Sequence, residues 1–280
     1  MIETLYSLID TVLPFAWVDH QFMKNALIAI ILISPVFGII GTMVVNNQMA
    51  FFSDAIGHST FTGLAIGTIL GISNLSLSAI GFAIFFAISI TFLRHKSKTS
   101  SDTIISTFTS IAVAFGIAIL SSGGGFKKYS TYLIGDLLSI STGDLLALFL
   151  VFVFILLVWY FLFNHLFLSS LSPCLARARG TNILLIELLF TITIAIVVTI
   201  SIQWVGILLI NSLIVLPAGA AKNISKNMRA YHIYSICIAL FSGLSGLIIS
   251  YYINISTGAM IVLVAGILFI LTTVIKTRFD

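Results

Sequence analysis

The sequence predicts an all-α fold: a polytopic transmembrane helix bundle with about eight or nine hydrophobic crossings. Composition is the first observation behind this reading. Of 280 residues, 59% are hydrophobic and 8% are charged, whereas a soluble domain is about 45–50% apolar and about 25% charged. Mean hydropathy, at +1.19, is the second. The third is that apolar residues come in runs long enough to cross about 30 Å of hydrocarbon, which takes about 20 helical residues. With 13 Lys and Arg and 9 Asp and Glu, the chain cannot wet the surface of a globule of this size. A soluble enzyme, a nucleic-acid binder and a disordered protein are thereby excluded. The net charge of +4 is read as basic loops on one side of a membrane.

Residues 1–21 carry Leu5, Leu8, Ile9, Val12, Leu13 and Phe15 among polar residues, with no Lys or Arg. This is an interfacial amphipathic segment, and it has no basic n-region of a secretory signal. Residues 22–280 form the transmembrane domain. Its clear spans are 22–45, 50–72, 75–93, 103–121, 143–168, 231–253 and 258–276. Residues 183–219 are nearly uncharged and would make one helix of about 55 Å, too long for one crossing. Gly206 and Pro217 interrupt this stretch, so it reads as a helix followed by a shorter span or a re-entrant piece.

Loop charges favour two crossings there. Arg94, Lys96, Lys98, Arg177, Arg179, Lys222, Lys226, Arg229, Lys276 and Arg278 share the cytoplasmic side only if 183–219 crosses twice. Lys24, Lys127 and Lys128 then lie outside, and the positive-inside rule is obeyed. The N-terminus is outside and the C-terminus inside. The outer loop 122–142 holds a flexible Gly123–Gly125 turn and the apolar stretch Tyr132–Ser139.

The second span contains the most informative residues. Asp54 and His58 are four apart and share a helix face. Ala55, Ser59, Gly63, Gly67 and Gly71 recur every four residues on the adjacent face, a small-residue strip that lets a neighbouring backbone approach. An ionisable residue in a span is costly and is normally paired or faces water. A carboxylate and an imidazole one turn apart can both reach one cation, and two ligands leave it free to depart. From these residues alone, a metal or proton pathway stands beside two plainer readings. The pair either fastens helices by a hydrogen bond or lies among the cytoplasmic headgroups.

Other polar residues read more simply. Asp102 follows Ser100 and Ser101 and caps the next helix. Glu187 is interfacial and structural, His165 and His232 sit at span ends, and His20 and His95 lie in loops. Asp136 is an outside-facing acid, a loop cap or a pore-mouth group. Cys174 and Cys237 are too few and too far apart for a disulfide framework or a CxxC pair. There is no P-loop, because the glycine run before Lys127 has the wrong spacing, and no HExxH. Gly243–Gly246 reads GxSG, but no His follows Ser245 to serve as base. Ser242, Gly246 and Ser250 form a packing face instead.

Five stretches together resemble the ABC-3 family, the membrane permeases of bacterial zinc, manganese and iron ABC importers. They are Ser53–Ser59, Tyr132–Ser139, Ala176–Gly180, Val205–Ala221 and Gly246–Leu263. The resemblance runs from about residue 22 to 276. It implies a multi-pass protein of the bacterial cytoplasmic membrane that is not itself an enzyme. Its implied partners are cytoplasmic ABC ATPase subunits, an extracytoplasmic metal-binding protein and a second permease chain, most simply an identical one. No cofactor is implied, only a transported divalent metal. The family's in-pore metal pair matches Asp54 and His58. The segment holding Pro173, Ala176, Arg177, Arg179 and Gly180 resembles the coupling loop that docks on the ATPase. Members commonly begin that loop with Asp-Pro-Glu, and Ser172-Pro173-Cys174 here lacks both acids. Many manganese members have Ser-His-Ala-Val-Leu-Pro-Gly where this chain has Gly57–Gly63, which leans the metal towards zinc. The alternative is a proton-coupled secondary transporter of a cation with Asp54 as the relay. For topology, reporter fusions at residues 125 and 225 should report from opposite sides of the membrane; the same side at both would refute two crossings over 183–219.

Overall fold

The structure is a computed structural model that describes residues 6–7, 9–11, 16–122, 135 and 137–279. Among these, every regular element is helical. A 3₁₀ turn at Ala16–Asp19 precedes α1 (Gln21–Asn46), α2 (Phe52–Ile69), α3 (Leu75–Lys96) and α4 (Ser101–Ser122). A second 3₁₀ turn at Leu137–Ser139 precedes α5 (Thr142–Leu171) and the short α6 (Pro173–Ala178). The chain ends with α7 (Ile183–Val205), α8 (Ile207–Ile224), α9 (Met228–Ile253) and α10 (Thr257–Phe279).

Seven of these are long and apolar enough to cross a membrane: α1, α3, α4, α5, α7, α9 and α10. Eight or nine crossings are therefore a slight overstatement by length and apolarity. The two that fall short are α2 and α8, of 18 residues each. The α2 helix dilutes its apolar content with Ser53, Asp54, His58, Ser59, Thr60, Thr62 and several glycines. In α8 the part from Pro217 onward is mostly small or polar residues. The long stretch 183–219 is broken at Gly206, as expected, with a positive φ of 79° there. That conformation suits a residue without Cβ. Pro217, expected to be a second interruption, lies inside α8 without ending it.

The chain forms two compact units. The first holds residues 1–42, 135–154 and 212–280. In it, the Ser235 hydroxyl donates to the Gly38 carbonyl at 2.7 Å, and a Cβ at Gly38 would lie 3.1 Å from the Ile236 Cα. A Cβ at Gly246 would lie 2.6 Å from the Ile261 Cα on α10. Ser242, Gly246 and Ser250 are buried, so the GxSG run packs helices. Asn223 Nδ2 donates to Thr273 Oγ1 at 2.9 Å. Of the N-terminal segment, Tyr6 donates to Asn25, Lys24 pairs with Asp10 at 2.7 Å, and Trp17 and Val18 are buried. His232 is half-buried, its ring nitrogens 2.9 Å from the Met228 carbonyl and 3.3 Å from Thr42 Oγ1.

The second unit holds residues 43–134 and 155–211, with α2 at its centre. Helix α2 contacts α3, α4 and α7, and 12 of its 18 residues are buried, the strip Ala55, Ser59, Gly63 and Gly67 among them. A Cβ at Gly63 would stand 2.7 Å from the Ala79 Cα, and one at Gly67 2.7 Å from the Ser78 Cβ. The Ser78 hydroxyl uses the same gap to donate to the Gly63 carbonyl at 2.7 Å. The expected seam thus exists, with α3 as its partner. Gly71 lies past the helix end at φ +65°, with open space around it, and serves the turn rather than the seam. Gly63→Val should push α2 off α3, because the obstructing atom is backbone. A loss of about 1–3 kcal/mol is expected, read as a lower unfolding temperature in detergent.

Candidate metal path and coupling loop

Asp54 lies in the first turn of α2, where the helix dipole favours a carboxylate. His58 follows one turn later, with Nε2 3.6 Å from Asp54 Oδ1, and the two side chains are 34% and 31% exposed. At that distance the two side chains lie within ion-pair range but beyond a normal hydrogen bond. They occupy the part of α2 left open when the seam residues turn inward.

They open onto a cleft of about 650 Å³. One wall is Phe51, Asp54 and His58. The other is one face of α4, with Ser106, Thr109 and Ser110 followed by Val113, Ala114 and Ile117. Two contacts set the walls at close range. Thr62 Oγ1 donates to the Ala112 carbonyl at 2.6 Å, and a Cβ at Gly116 would lie 2.8 Å from that same oxygen. On its far side α2 is held by Ser53 Oγ, which donates to Asn211 Oδ1 at 2.7 Å, and by Gly57, whose missing Cβ leaves room for Ile207. Among the described residues, no group of three or more His, Cys, Asp or Glu gathers to hold a metal ion.

The α4 wall went unread in the sequence. Its signal was there: Ser106, Thr109 and Ser110 recur at helical spacing within an otherwise apolar span. Asp102 also sits differently from its expected place. Ser100 Oγ accepts the Thr103 N–H at 3.3 Å and so caps α4. The capping hydroxyl must lie three residues before the donor it serves, which leaves Asp102 exposed in the first turn.

The segment 172–182 is a short helix between two caps. Ser172 Oγ accepts the Leu175 N–H at 3.4 Å, and Pro173 opens α6. Ala176 is fully buried, while Pro173, Arg177 and Arg179 are exposed. Gly180 adopts φ +75°, its N–H bonds the Arg177 carbonyl at 2.9 Å, and Thr181 N–H bonds the Ala176 carbonyl at 3.0 Å. Such a turn ends a helix with its carbonyls satisfied. Asn182 then caps α7 through the Leu185 N–H at 3.2 Å, and α6 packs on α7. Glu187, in the second turn of α7, is half-buried, and His165 and His95 are exposed. His20 is exposed and stacks on Phe22 at 5.3 Å. Lys127, Lys128 and Asp136, and half of Tyr132–Ser139, lie outside the described residues.

The chain is thus a bundle of apolar helices, long enough in seven cases to cross a membrane, with a carboxylate and an imidazole beside a cleft. Residues 19–276 match the family described as the ABC 3 transport family. The chain belongs to it, as the five sequence stretches implied, and is a multi-pass protein of the bacterial cytoplasmic membrane. It is 31% identical over 260 residues to the manganese import system permease protein ScaB of Streptococcus gordonii, covering 93% of each chain. To the high-affinity zinc uptake system membrane protein ZnuB of Buchnera aphidicola it is 30% identical over 248 residues, covering 88% of this chain and 95% of that one. Among solved structures it resembles PsaBC from Streptococcus pneumoniae in complex with Fab. That match has a TM-score of 0.79 and 27% identity, covering 97% of this chain and 95% of the other.

Proposed function

We propose that this chain is the permease subunit of an ABC importer for a divalent transition metal, manganese or zinc, and that Asp54 and His58 ligate the ion in transit. One observation carries the reading: the acid and the imidazole of α2 share one open wall, a third to the cleft and two thirds inside the helix packing. Relatives named for manganese and for zinc support both metals; iron enters only through the family resemblance. Imidazole suits zinc and carboxylate suits harder ions, so a mixed pair accepts either metal. Two protein ligands leave the remaining positions to water or to other oxygens, and the ion is held without being trapped. The rival, a proton-coupled secondary transporter with Asp54 as relay, is not favoured by membership of an ABC family. Asp54→Ala and His58→Ala should each reach the membrane folded and lower uptake of labelled manganese or zinc at least tenfold, since each removes one of two ligands. Normal uptake by both would sink the assignment.

ATP hydrolysis is assigned to separate cytoplasmic ATPase chains, and metal delivery to an extracytoplasmic binding protein. A second permease chain, most simply an identical one, would complete the path. The contact with the ATPase is assigned to Pro173, Ala176, Arg177, Arg179 and Gly180. Ala176 anchors the loop inward while the two arginines remain exposed, and α6 rests on α7, which in turn packs on α2 and α3. A push on α6 therefore has a short packed route to the helix that bears Asp54. The double variant Arg177→Glu/Arg179→Glu should co-purify with less ATPase and lose most transport-coupled ATP hydrolysis, with metal binding kept. Unchanged co-purification would count against this loop.

A further inference from the structure

The face of α4 that closes the cleft differs from the faces of this protein that suit lipid. On α5 the exposed positions include Leu146, Phe149, Leu150, Phe154, Leu157 and Phe161, a broad apolar surface. On α4 the exposed positions towards the cleft include Ser106 and Ser110, with Thr109 half-buried between them. A hydroxyl has one proton to donate and two lone pairs to offer. All three protons are already used within the helix. Ser106 Oγ donates to the Asp102 carbonyl at 2.7 Å, Thr109 Oγ1 to the Ile105 carbonyl at 2.8 Å, and Ser110 Oγ to the Ser106 carbonyl at 3.0 Å. What remains for the cleft is oxygen lone pairs, without an O–H pointed at an incoming cation.

We infer that Ser106, Thr109 and Ser110 form the second wall of the metal path and hold the water shell of the ion that Asp54 and His58 ligate. This rests on the function proposed above and assigns these residues a part in choosing the metal. Water bound to a divalent cation donates strongly, and lone pairs facing it are the matching acceptors. Hard, oxygen-preferring manganese gains more from such a wall than zinc, which imidazole already satisfies. The same face continues one turn down to Asp102, four residues before Ser106 and exposed in the first turn of α4. The oxygen track thus ends at a carboxylate. In the other direction it gives way to Val113, Ala114 and Ile117, so the polar part of the cleft lies at the level of Asp54 and His58.

The test uses the assembled importer in cells and the triple variant Ser106→Ala/Thr109→Val/Ser110→Ala. Labelled uptake of whichever metal the parent protein carries is competed with the other. The variant should shift preference from manganese towards zinc by about tenfold, the loss of a few modest hydrogen bonds to the ion's water. Ser106→Thr/Ser110→Thr retains all three oxygens and should keep the parental ratio. An unchanged ratio in the triple variant overturns the inference, and so does an equal shift in the threonine variant, which would mean that packing sets the ratio. Should the triple variant not assemble, Ser110→Ala alone, at an exposed position, carries the same readout with a shift of about threefold; no shift there also overturns it. Asp54→Ala is measured alongside. Uptake lost in Asp54→Ala with an unchanged ratio in the triple variant removes this inference alone. Uptake kept in Asp54→Ala removes the reading on which it rests.

Discussion

The close approach of α2 to α3 governs the geometry of the second unit. At Gly63 and Gly67 there is room for hydrogen atoms and little else, and the Ser78 hydroxyl bonds a backbone carbonyl across the gap. In hydrocarbon no hydrophobic force draws helices together, so close van der Waals contact and such hydrogen bonds do the holding. Once this face of α2 is turned to α3, a helical repeat of 3.6 residues dictates where the remaining faces point. Gly57 and Ser53 meet the start of α8, Thr62 meets α4, and Asp54 and His58 are left towards the cleft. The two titratable groups owe their position to glycines that have no chemistry of their own.

The cost of polarity in a membrane explains much of the rest. A hydroxyl in a span must spend its proton somewhere, and most here spend it on the carbonyl three or four residues back, as Thr60, Thr91, Ser242 and Thr273 do. Others bridge helices, as Thr62 with the Ala112 carbonyl at 2.6 Å and Ser53 with Asn211 at 2.7 Å. Polar side chains of both kinds thus serve the packing first. Asp54 and His58 stand apart in that both keep about a third of their side-chain surface open. An ionisable pair within a membrane helix is costly unless it is paired or faces water, and this pair borders a cleft.

The segment 172–182 obeys a different economy. It lies beyond the apolar helices, so exposure of Arg177 and Arg179 costs little, and its shape comes from local chemistry. Caps at Ser172 and Asn182 and the left-handed turn at Gly180 make a short rigid helix. Its attachment is the single buried methyl of Ala176 and its packing on α7.

How much of this was legible in the residues differs from element to element. The membrane class, the span positions, the break at Gly206 and the pairing of Asp54 with His58 are local matters of hydropathy, backbone freedom and helical spacing, and the sequence alone determined them. The same holds for the small-residue strip and for the family, carried by stretches that keep their order along 19–276. The cap of α4 was misplaced by two residues, because Ser100 and Asp102 are both good caps and only the backbone turn decides between them. Pro217 went unrecognised as a helix residue, since accommodation of a proline in a membrane helix depends on neighbours. Tertiary structure alone decided that α3 is the partner of the glycine seam and that a face of α4 stands opposite Asp54 and His58. Side-chain spacing fixes what shares a face of one helix, but which helix comes to that face depends on contacts between residues far apart in the chain.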